Sequence, residues 1–371
     1  MSARTRLLEA CTEISHLAAG PYDHLITLSL SHRVESALQY ACHFNLASYV
    51  PVDGRIPFSD LSTQAGVPTS QCTRILRLLM TYFVFCEPEP GYVSHTPDSA
   101  LLLDERVHSS VGLYTDESLR CASFLSTAAE KWPGSEERTE TAYNLALNTP
   151  LPMFEFLQKE PARAQRFRNT MASLCRRDHL SLDHLVEGFN WGSLPDQAVV
   201  ADIGGSSGHC SKAIAAANPH LRFIVQDLEV ALGCHKSVKD MNGQIQYMPY
   251  DFFTPQPVQA DIYLLRWILH DYPDKYAAKI LQMQIQSMPP GSRIILMESV
   301  MMPPGTESRL VERKARILDI GMMSLYNSAE RDMDAWVAFF NRTDPRLRLV
   351  NVVKSTGSAL SVMELQLAAE P

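Results

Sequence analysis

The chain has 371 residues, of which 46% are hydrophobic and 20% charged, and its formal net charge is −8. This length allows two domains, each with its own core, and the composition is that of an ordinary globular protein. The acidic balance argues against a large phosphate-neutralising surface of the kind that binds nucleic acids.

The first residues show no basic region followed by an apolar core, and no apolar run reaches membrane-spanning length. The eight cysteines are scattered and form no Cys-x-x-Cys pair, which argues against a zinc ribbon or a disulfide framework. Together these features predict a protein of a reducing compartment, the cytoplasm.

The first half of the chain reads as helices. A capped helix over 59–67 is followed by a second over 72–80, whose apolar residues recur at helical spacing. Val84-Phe85 and Tyr92-Val93 flank a turn and predict a small hairpin. Such a winged-helix pattern permits DNA binding, but Arg74 and Arg77 are the second helix's only basic residues, so a dimerising or partner-binding module fits better.

From Gly192 onward apolar strands alternate with helices, which predicts a parallel sheet covered on both faces. The predicted strands are 198–203, 222–225, 245–248, 261–265 and 293–297. Two further strands, 347–354 and 363–368, suggest an antiparallel hairpin at the edge. The predicted helices are 210–217 and 276–288.

A glycine-rich segment follows the first of these strands. Gly204 and Gly205 let the backbone approach a ligand, and the helix behind them offers free N–H groups. The spacing is Gly-Gly-x-x-Gly, which does not favour a pyrophosphate. Asp202, just before it, suits a ligand with a cationic amine.

Acids also follow the next two strands. Asp227 stands about 20 residues after the glycines, where a ribose diol is usually held. Asp251, followed by Phe252, suits the amino edge and the face of an adenine. An adenosine with an amino-acid tail satisfies all three acids, and this describes S-adenosylmethionine.

The fourth strand runs into Trp267, His270 and Asp271. A histidine in such a position is more often structural, but the acids at the neighbouring strand ends favour a catalytic role. A neutral imidazole of pKa about 6.5 is suited to take the proton of a phenol, whose pKa is about 10. No His and carboxylate cluster with metal-ligand spacing is evident, so no metal is expected.

Six motifs follow one another between residues 202 and 332: Asp-Ile-Gly-Gly-Ser-Ser-Gly-His, Gln-Asp-Leu, Tyr-Asp-Phe-Phe, Leu-Arg-Trp-Ile-Leu-His-Asp, Met-Glu and Ala-Glu-Arg-Asp. The set resembles the class I S-adenosylmethionine-dependent O-methyltransferases, closest to the caffeate-type branch of plants and fungal secondary metabolism. The resemblance implies an α/β fold, a Rossmann-like class I methyltransferase sheet with an N-terminal helical winged-helix dimerisation domain. It further implies a dimerisation domain over 1–110, a helical linker and substrate lid over 111–190, a cofactor-binding catalytic domain over 191–371, and a homodimer.

The resemblance also implies roles for individual residues. His270 is expected to be the general base on the acceptor hydroxyl, with Glu298 and Glu330 flanking and orienting its imidazole. The expected cofactor-binding residues are Asp202, Gly204, Gly205, Asp227, Leu228, Asp251, Phe252, Arg266 and Trp267, with Trp267 packed against the adenine. The expected acceptor-binding residues are Phe154, Met171, Asp271, Asp319, Met322 and Met323. The acceptor is expected to be a small phenolic, aromatic or polyketide-derived molecule.

Three departures from the family pattern bear on function. Ser206 replaces a third glycine, residues 327–329 shorten the turn before Glu330, and residues 341–345 replace a glycine-rich turn. The altered turns prevent any assumption of plant substrates. The main alternative is a pericyclase of the same fold that binds the cofactor without methylating, although retention of His270, Glu298 and Glu330 favours methyl transfer. A winged-helix DNA-binding regulator is the third possibility.

Overall fold

The computed structural model describes residues 3–233 and 243–368. These residues form two compact units. Unit 1 takes the described parts of Met1–Ala128, Ala142–Leu174 and Ser308–Leu310, and unit 2 those of Ala129–Thr141, Cys175–Glu307 and Val311–Pro371. The predicted linker over 111–190 is shared between the units, and the three-part division stays a prediction. Cys234, one of the eight cysteines, lies outside the described residues.

Unit 1 is largely helical. Its helices are α1 (Ala3–Ser29), α2 (His32–His43), α3 (Phe58–Ala65), α4 (Thr69–Met80), α5 (Pro97–Ala100), α6 (Glu105–Gly112), α7 (Leu119–Ser123), α8 (Leu125–Lys131, which continues into unit 2), α9 (Ala142–Leu147), α10 (Met153–Lys159) and α11 (Pro161–Leu174). A π-helical turn, Leu113–Ser118, joins α6 to α7.

The helix pair α3 and α4 follows the predicted pattern. Gly66 ends α3 in the left-handed conformation, with φ of 68°, where glycine carries no steric cost. Cys72, Leu76 and Leu79 lie on the buried side of α4, as their spacing of three and four residues requires. These side chains join one apolar core with residues of α2 and α3.

The hairpin predicted from Val84-Phe85 and Tyr92-Val93 is wrong in one arm. Strand β2 (Tyr92–Val93) pairs antiparallel with β1 (Ile56–Pro57) instead. Phe85 has a φ of 67°, which is incompatible with an extended strand. Between the two predicted arms, the described residues form one isolated antiparallel bridge, from Cys86 to Ser94.

Unit 2 is built on a seven-stranded sheet. Its strands are β3 (Val199–Ile203), β4 (Arg222–Asp227), β5 (Ile245–Pro249), β6 (Ile262–Arg266), β7 (Arg293–Ser299), β8 (Leu347–Val353) and β9 (Leu360–Leu367). The strand order is β5-β4-β3-β6-β7-β9-β8. The first five strands are parallel, and β9 and β8 pair antiparallel, which confirms the predicted parallel sheet with an antiparallel edge.

The helices of unit 2 connect these strands. They are α12 (Asp183–Gly188), α13 (His209–Ala217), α14 (Glu229–Leu232), α15 (Asp274–Ile285), α16 (Arg309–Tyr326, whose first two residues belong to unit 1) and α17 (Met333–Thr343). Residues 262–265 of β6 and 294–299 of β7 are buried without a break, as strands covered on both faces must be. Within residues 3–233 and 243–368, no helix is both long and apolar enough to cross a membrane.

The order of connection reverses at β3. From β3 the chain moves outward to β4 and β5, then returns to the other side of β3 as β6. Ligands of open α/β sheets bind outside the carboxyl ends of the strands at such a switch point. Asp202, Asp227, Asp251 and His270 all lie at or just after these carboxyl ends.

Candidate active site

The turn between β3 and α13 can be formed only by small residues. Gly204 has a φ of 70°, and a Cβ built there would lie 2.4 Å from Cδ1 of Ile268. A Cβ on Gly205 would lie 2.7 Å from Cγ of Asp202. The missing side chains leave a cradle of bare backbone at the switch point, which fits a ligand in close approach.

Asp202 holds this turn from beneath. Its side chain is buried, and Oδ2 accepts a hydrogen bond of 2.6 Å from the hydroxyl of Ser211 in α13. Burial raises the pKa of Asp202 to about 6, because desolvation disfavours the charged form. The predicted contact with a cationic amine therefore involves a carboxylate that already has one oxygen committed to the protein.

Asp227 anchors the opposite side of the turn. Its Oδ2 accepts from the backbone N–H of Ser206 at 2.9 Å, and its Oδ1 accepts from that of Leu228 at 2.7 Å. Ser206 has a φ of 50°, a conformation that glycine adopts more readily. The bond to Asp227 stabilises serine where the family more often has glycine. Burial raises the pKa of Asp227 to about 6.

The segment after β5 supplies an aromatic wall. Asp251 is exposed, and its Oδ1 accepts from the N–H of Phe253 at 2.9 Å. Phe252 lies 3.8 Å from the Cβ position of Gly204 and packs edge-on against Tyr272, with ring centroids 5.7 Å apart. The glycine turn and this ring thus lie on the same side of the site.

Trp267 links the end of β6 to His270. It has a φ of 53°, and its indole stacks on the imidazole of His270 with centroids 5.7 Å apart and planes 13° apart. The guanidinium of Arg266 lies 5.3 Å from the centre of the indole and donates to the carbonyl of Leu180. The expected packing of Trp267 against an adenine stays a prediction.

His270 lies in a buried short helical turn. Its Nδ1 lies 2.8 Å from Oε1 of Glu330, and its Nε2 lies 3.4 Å from Oδ1 of Asp271. A carboxylate on Nδ1 favours the tautomer with the proton on that nitrogen, which leaves the lone pair on Nε2. This contact fits the orienting role predicted for Glu330, which stays a prediction.

Glu298 contributes in a different way from that expected. Its Oε1 accepts hydrogen bonds from the backbone N–H groups of Ile268 and Leu269, at 3.0 and 2.8 Å. These bonds fix the backbone of the loop that carries His270. Its hydrogen bonds are to the loop and its influence on the ring is electrostatic, and the orienting role of Glu298 stays a prediction.

Acidic side chains dominate the electrostatics around His270. Burial on its own lowers the pKa of His270, but Asp271, Glu330 and Glu298 together raise it to about 10. Burial raises the pKa of Asp271 to about 7 and also raises that of Glu298. The cluster therefore retains a proton at neutral pH and shares it among coupled groups.

The six predicted acceptor-binding residues fall in both units. Phe154 and Met171 lie on α10 and α11 of unit 1, and the other four lie in unit 2. Asp319 accepts from the backbone N–H of Glu330 at 2.8 Å, so it positions the loop of a predicted catalytic residue. Met322 is buried and Met323 is exposed.

Arg331 is a residue that the sequence analysis missed. This buried guanidinium donates to the carbonyls of Leu269 and Tyr272, at 3.1 and 3.0 Å, and to Oδ1 of Asp274. It therefore ties the loop of Glu330 to the loop of His270. The sequence shows that Arg331 directly follows Glu330. Its partners lie about 60 residues earlier in the chain, and no local sequence pattern predicts these contacts.

Two family comparisons match the chain. Residues 133–343 match the O-methyltransferase domain, and residues 26–105 match the O-methyltransferase dimerisation domain. The O-methyltransferase aoiF of Aspergillus oryzae is 37% identical over 99% of this chain and 89% of its own length. The O-methyltransferase pgmB of Aspergillus terreus is 38% identical over 99% of this chain and 86% of its own.

Solved structures share the fold. OxaC, crystallised with sinefungin and meleagrin, has a TM-score of 0.88 at 23% identity, over 99% of this chain and 93% of its own. LepI in complex with SAM has a TM-score of 0.82 at 24% identity, over 98% and 94%, and another structure with these values is described as a pericyclic reaction enzyme. At these identities the likeness extends to the fold alone.

The expected family and fold are therefore confirmed, and the pericyclase alternative gains no better support than methyl transfer. The dimerisation domain indicates a homodimer. The chain belongs to the O-methyltransferase family and is an S-adenosylmethionine-dependent O-methyltransferase related to enzymes of fungal secondary metabolism.

Proposed function

We propose that the protein methylates a phenolic hydroxyl of a small aromatic or polyketide-derived metabolite, with His270 as general base. The observation that carries this proposal is the contact of 2.8 Å between Nδ1 of His270 and Glu330. It leaves Nε2 as the basic nitrogen, in the arrangement of a base with an orienting acid.

The switch point fits S-adenosylmethionine. The cradle at Gly204 and Gly205 accommodates the methionine part against bare backbone, and Asp202 shapes it from below. Asp227 and Leu228 are assigned to the ribose, and Asp251 and Phe252 to the adenine. Arg266 and Trp267 are assigned to the cofactor side of His270. The orphaned indole Nε1 of Trp267, buried without a hydrogen-bond partner, supports a polar neighbour there.

When bound, S-adenosylmethionine supplies an electrophilic methyl group and a positive charge. A positive charge near His270 opposes protonation of its imidazole and lowers its pKa, which favours the neutral, basic form. Nε2 of His270 takes the proton of the acceptor hydroxyl as the oxygen is methylated, and the negative charges of Glu330 and Asp271 stabilise the imidazolium that forms.

The proton affinity of His270 supports a phenol as acceptor. Its carboxylate neighbours raise the pKa of the imidazole above its usual value and so bring it nearer to that of a phenol, about 10. Proton transfer is less uphill the closer the two pKa values lie, and an aliphatic alcohol is far less acidic than a phenol.

Within unit 2 the acceptor is assigned to Asp271, Met322 and Met323, with Asp319 holding the loop of Glu330. The acceptor-binding roles of Phe154 and Met171 stay predictions. We also infer that the protein works in a reducing compartment such as the cytoplasm. The free thiols of Cys42, Cys72, Cys121 and Cys210 support this inference, because they are packed in the interior as unoxidised side chains.

The test is His270→Ala with S-adenosylmethionine labelled in its methyl group and a panel of phenolic polyketides. We expect turnover to fall by about 100-fold or more, the usual scale for a general base, while the Kd of the cofactor measured by calorimetry stays unchanged. Wild-type turnover in the variant would remove His270 from the mechanism. Cyclisation of a candidate substrate without methylation by the native enzyme would refute the phenolic assignment.

A further inference from the structure

A segment that the methyltransferase motifs do not include lies against the cofactor side of unit 2. Residues Trp132–Thr141, here called the strap, belong to unit 2, although the chain before Ala129 and from Ala142 to Leu174 belongs to unit 1. The contacts that hold these ten residues to unit 2 come from distant parts of the sequence.

Arg138 of the strap is enclosed by aromatic rings. Its guanidinium carbon lies 5.1 Å from the ring centre of Phe253, 5.3 Å from that of Tyr272 and 5.5 Å from that of Tyr276. A guanidinium within about 6 Å of a ring centre is attracted by the negative face of the ring. Three such contacts on one side chain form a cage, and the cage fixes the strap to three separate points of unit 2.

The cage is continuous with the proposed adenine wall. Phe253 packs edge-on against Phe252 with centroids 5.2 Å apart, and Tyr272 packs against both of these rings. Tyr272 is buried and follows Asp271 directly. A change in the position of Arg138 therefore reaches Phe252 through no more than one intervening ring.

The strap is attached on its other side to the loop of Glu330. Nδ2 of Asn327 donates to the carbonyls of Glu137 and Glu140, both at 2.9 Å. Asn327 ends α16 with a φ of 57°, and only two residues separate it from Glu330. Glu137 also binds Lys275 and accepts from the hydroxyl of Tyr276 at 2.7 Å.

We propose that the strap is a brace that joins the adenine wall to the loop of the catalytic acid, with Arg138 and Asn327 as positioning residues for methyl transfer. Arg138 fixes the position of the aromatic wall that receives the cofactor. Asn327 fixes the position of the loop from which Glu330 orients His270. The proposal rests on the assignment of Phe252 to the cofactor and of Glu330 to the base.

The test compares Arg138→Leu, Asn327→Gly and the double variant with Lys279→Gln as the matched control. Lys279 lies 5.6 Å from the same Phe253 ring but belongs to α15, so its replacement removes a cation from this ring and leaves the strap and its cage unchanged. Glycine at 327 keeps the left-handed backbone and removes only the amide bonds.

We expect Arg138→Leu to raise the Kd of S-adenosylhomocysteine about fivefold to tenfold with little change in kcat, in line with the loss of several cation–π contacts. Asn327→Gly should lower kcat by a similar factor with little change in Kd. Both should speed hydrogen exchange of the strap amides in the cofactor-free protein, and Lys279→Gln should not. Because both variants act through the same segment, the factor by which the double variant lowers kcat/KM should be smaller than the product of the two factors for the single variants.

The proposal would be overturned if hydrogen exchange of the strap amides were unchanged in both single variants. It would also be overturned if the losses of kcat/KM in the two single variants simply multiplied in the double variant. Phe252→Ala separates this failure from that of the cofactor assignment. If Phe252→Ala weakens binding of S-adenosylhomocysteine and Arg138→Leu does not, the brace is wrong and the adenine wall stands. If Phe252→Ala also binds normally, the assignment of the wall itself is wrong.

Discussion

At the glycine turn, Asp202 and Asp227 each direct a carboxylate toward nearby hydrogen-bond donors of the protein, whereas at the base loop Glu298, Glu330 and Asp271 surround one imidazole. Both regions bury acids at the carboxyl ends of neighbouring strands. In the first, each acid acts nearly alone, and burial raises its pKa to about 6. In the second, the acids act together, and the group they perturb most is His270.

The comparison shows that burial has opposite consequences in the two regions. An acid with only hydroxyl or backbone donors is harder to ionise, so its charge costs stability. Acids next to an imidazole are stabilised by its protonated form, and their negative charges in turn raise the pKa of the imidazole. The same residue type therefore shapes a binding loop in one place and sets proton chemistry in the other.

The largest effect that sharpens this contrast is expected from Glu330→Gln. Glutamine keeps the shape but removes the charge that fixes the tautomer and stabilises the imidazolium, so kcat should fall by up to about 10,000-fold, the scale seen when a base loses its orienting acid. Activity needs neutral His270 and rises with pH through its pKa. Removal of a negative neighbour lowers that pKa, so the acid limb of the pH–rate profile should move to lower pH.

Asp271→Asn is the matched variant for this experiment. It also removes a negative charge near His270 and should shift the acid limb in the same direction, but it leaves the bond between Nδ1 and Glu330 intact. Its loss of kcat should therefore be smaller. Equal losses in both variants would show that charge alone matters and that orientation by Glu330 does not.

The second effect concerns the glycine turn. The pKa of Asp202 in the folded protein, about 6, exceeds its unfolded value of about 3.9. Stability from this group is therefore complete below pH 4 and is lost as pH rises through about 6. The difference corresponds to about 3 kcal/mol at most. Asp202→Asn should flatten the dependence of the free energy of unfolding on pH between 4 and 6, as measured by urea denaturation.

A parallel pH series on Glu312→Gln provides the control, because this partly exposed acid on α16 has a lowered pKa and should not reproduce the flattening. A wild-type free energy of unfolding that rises steeply from pH 4 to 6 and is unaffected by Asp202→Asn would contradict the proposed burial cost.

The smallest effect is a change in the pKa of His270 between two forms of the cofactor. S-adenosylmethionine and S-adenosylhomocysteine differ by a methyl group and a positive charge. At roughly 6 Å and an effective dielectric of about 20, that charge is worth about 1–2 pKa units on His270. A histidine titration by NMR should therefore give a lower pKa with S-adenosylmethionine than with its product. Identical pKa values would place the sulfonium away from the imidazole.

Much of this architecture was predictable from local pattern. Apolar runs gave the seven strands of unit 2 to within a few residues, and acids at consecutive strand ends indicated the switch point, because parallel strands bring their carboxyl ends to one edge. The bond between His270 and Glu330 could be expected from family likeness. Its physical basis, a contact across 60 residues of chain, has no local signature.

The remaining features depend on contacts between distant segments. The caging of Arg138, the hub at Arg331 and the attachment of Glu298 to the loop backbone all require knowledge of which loops meet. The failed strand at Val84-Phe85 has a related cause, because β-propensity was overridden by the left-handed backbone of Phe85.

The stacking of Trp267 on His270 gives the reaction centre an optical reporter. A protonated imidazole in face contact with an indole accepts an electron from its excited state and quenches its emission, whereas a neutral imidazole quenches weakly. With planes only 13° apart, the fluorescence of Trp267 should register whether the base holds a proton. The enzyme would thus signal its own protonation state during turnover, without any added dye.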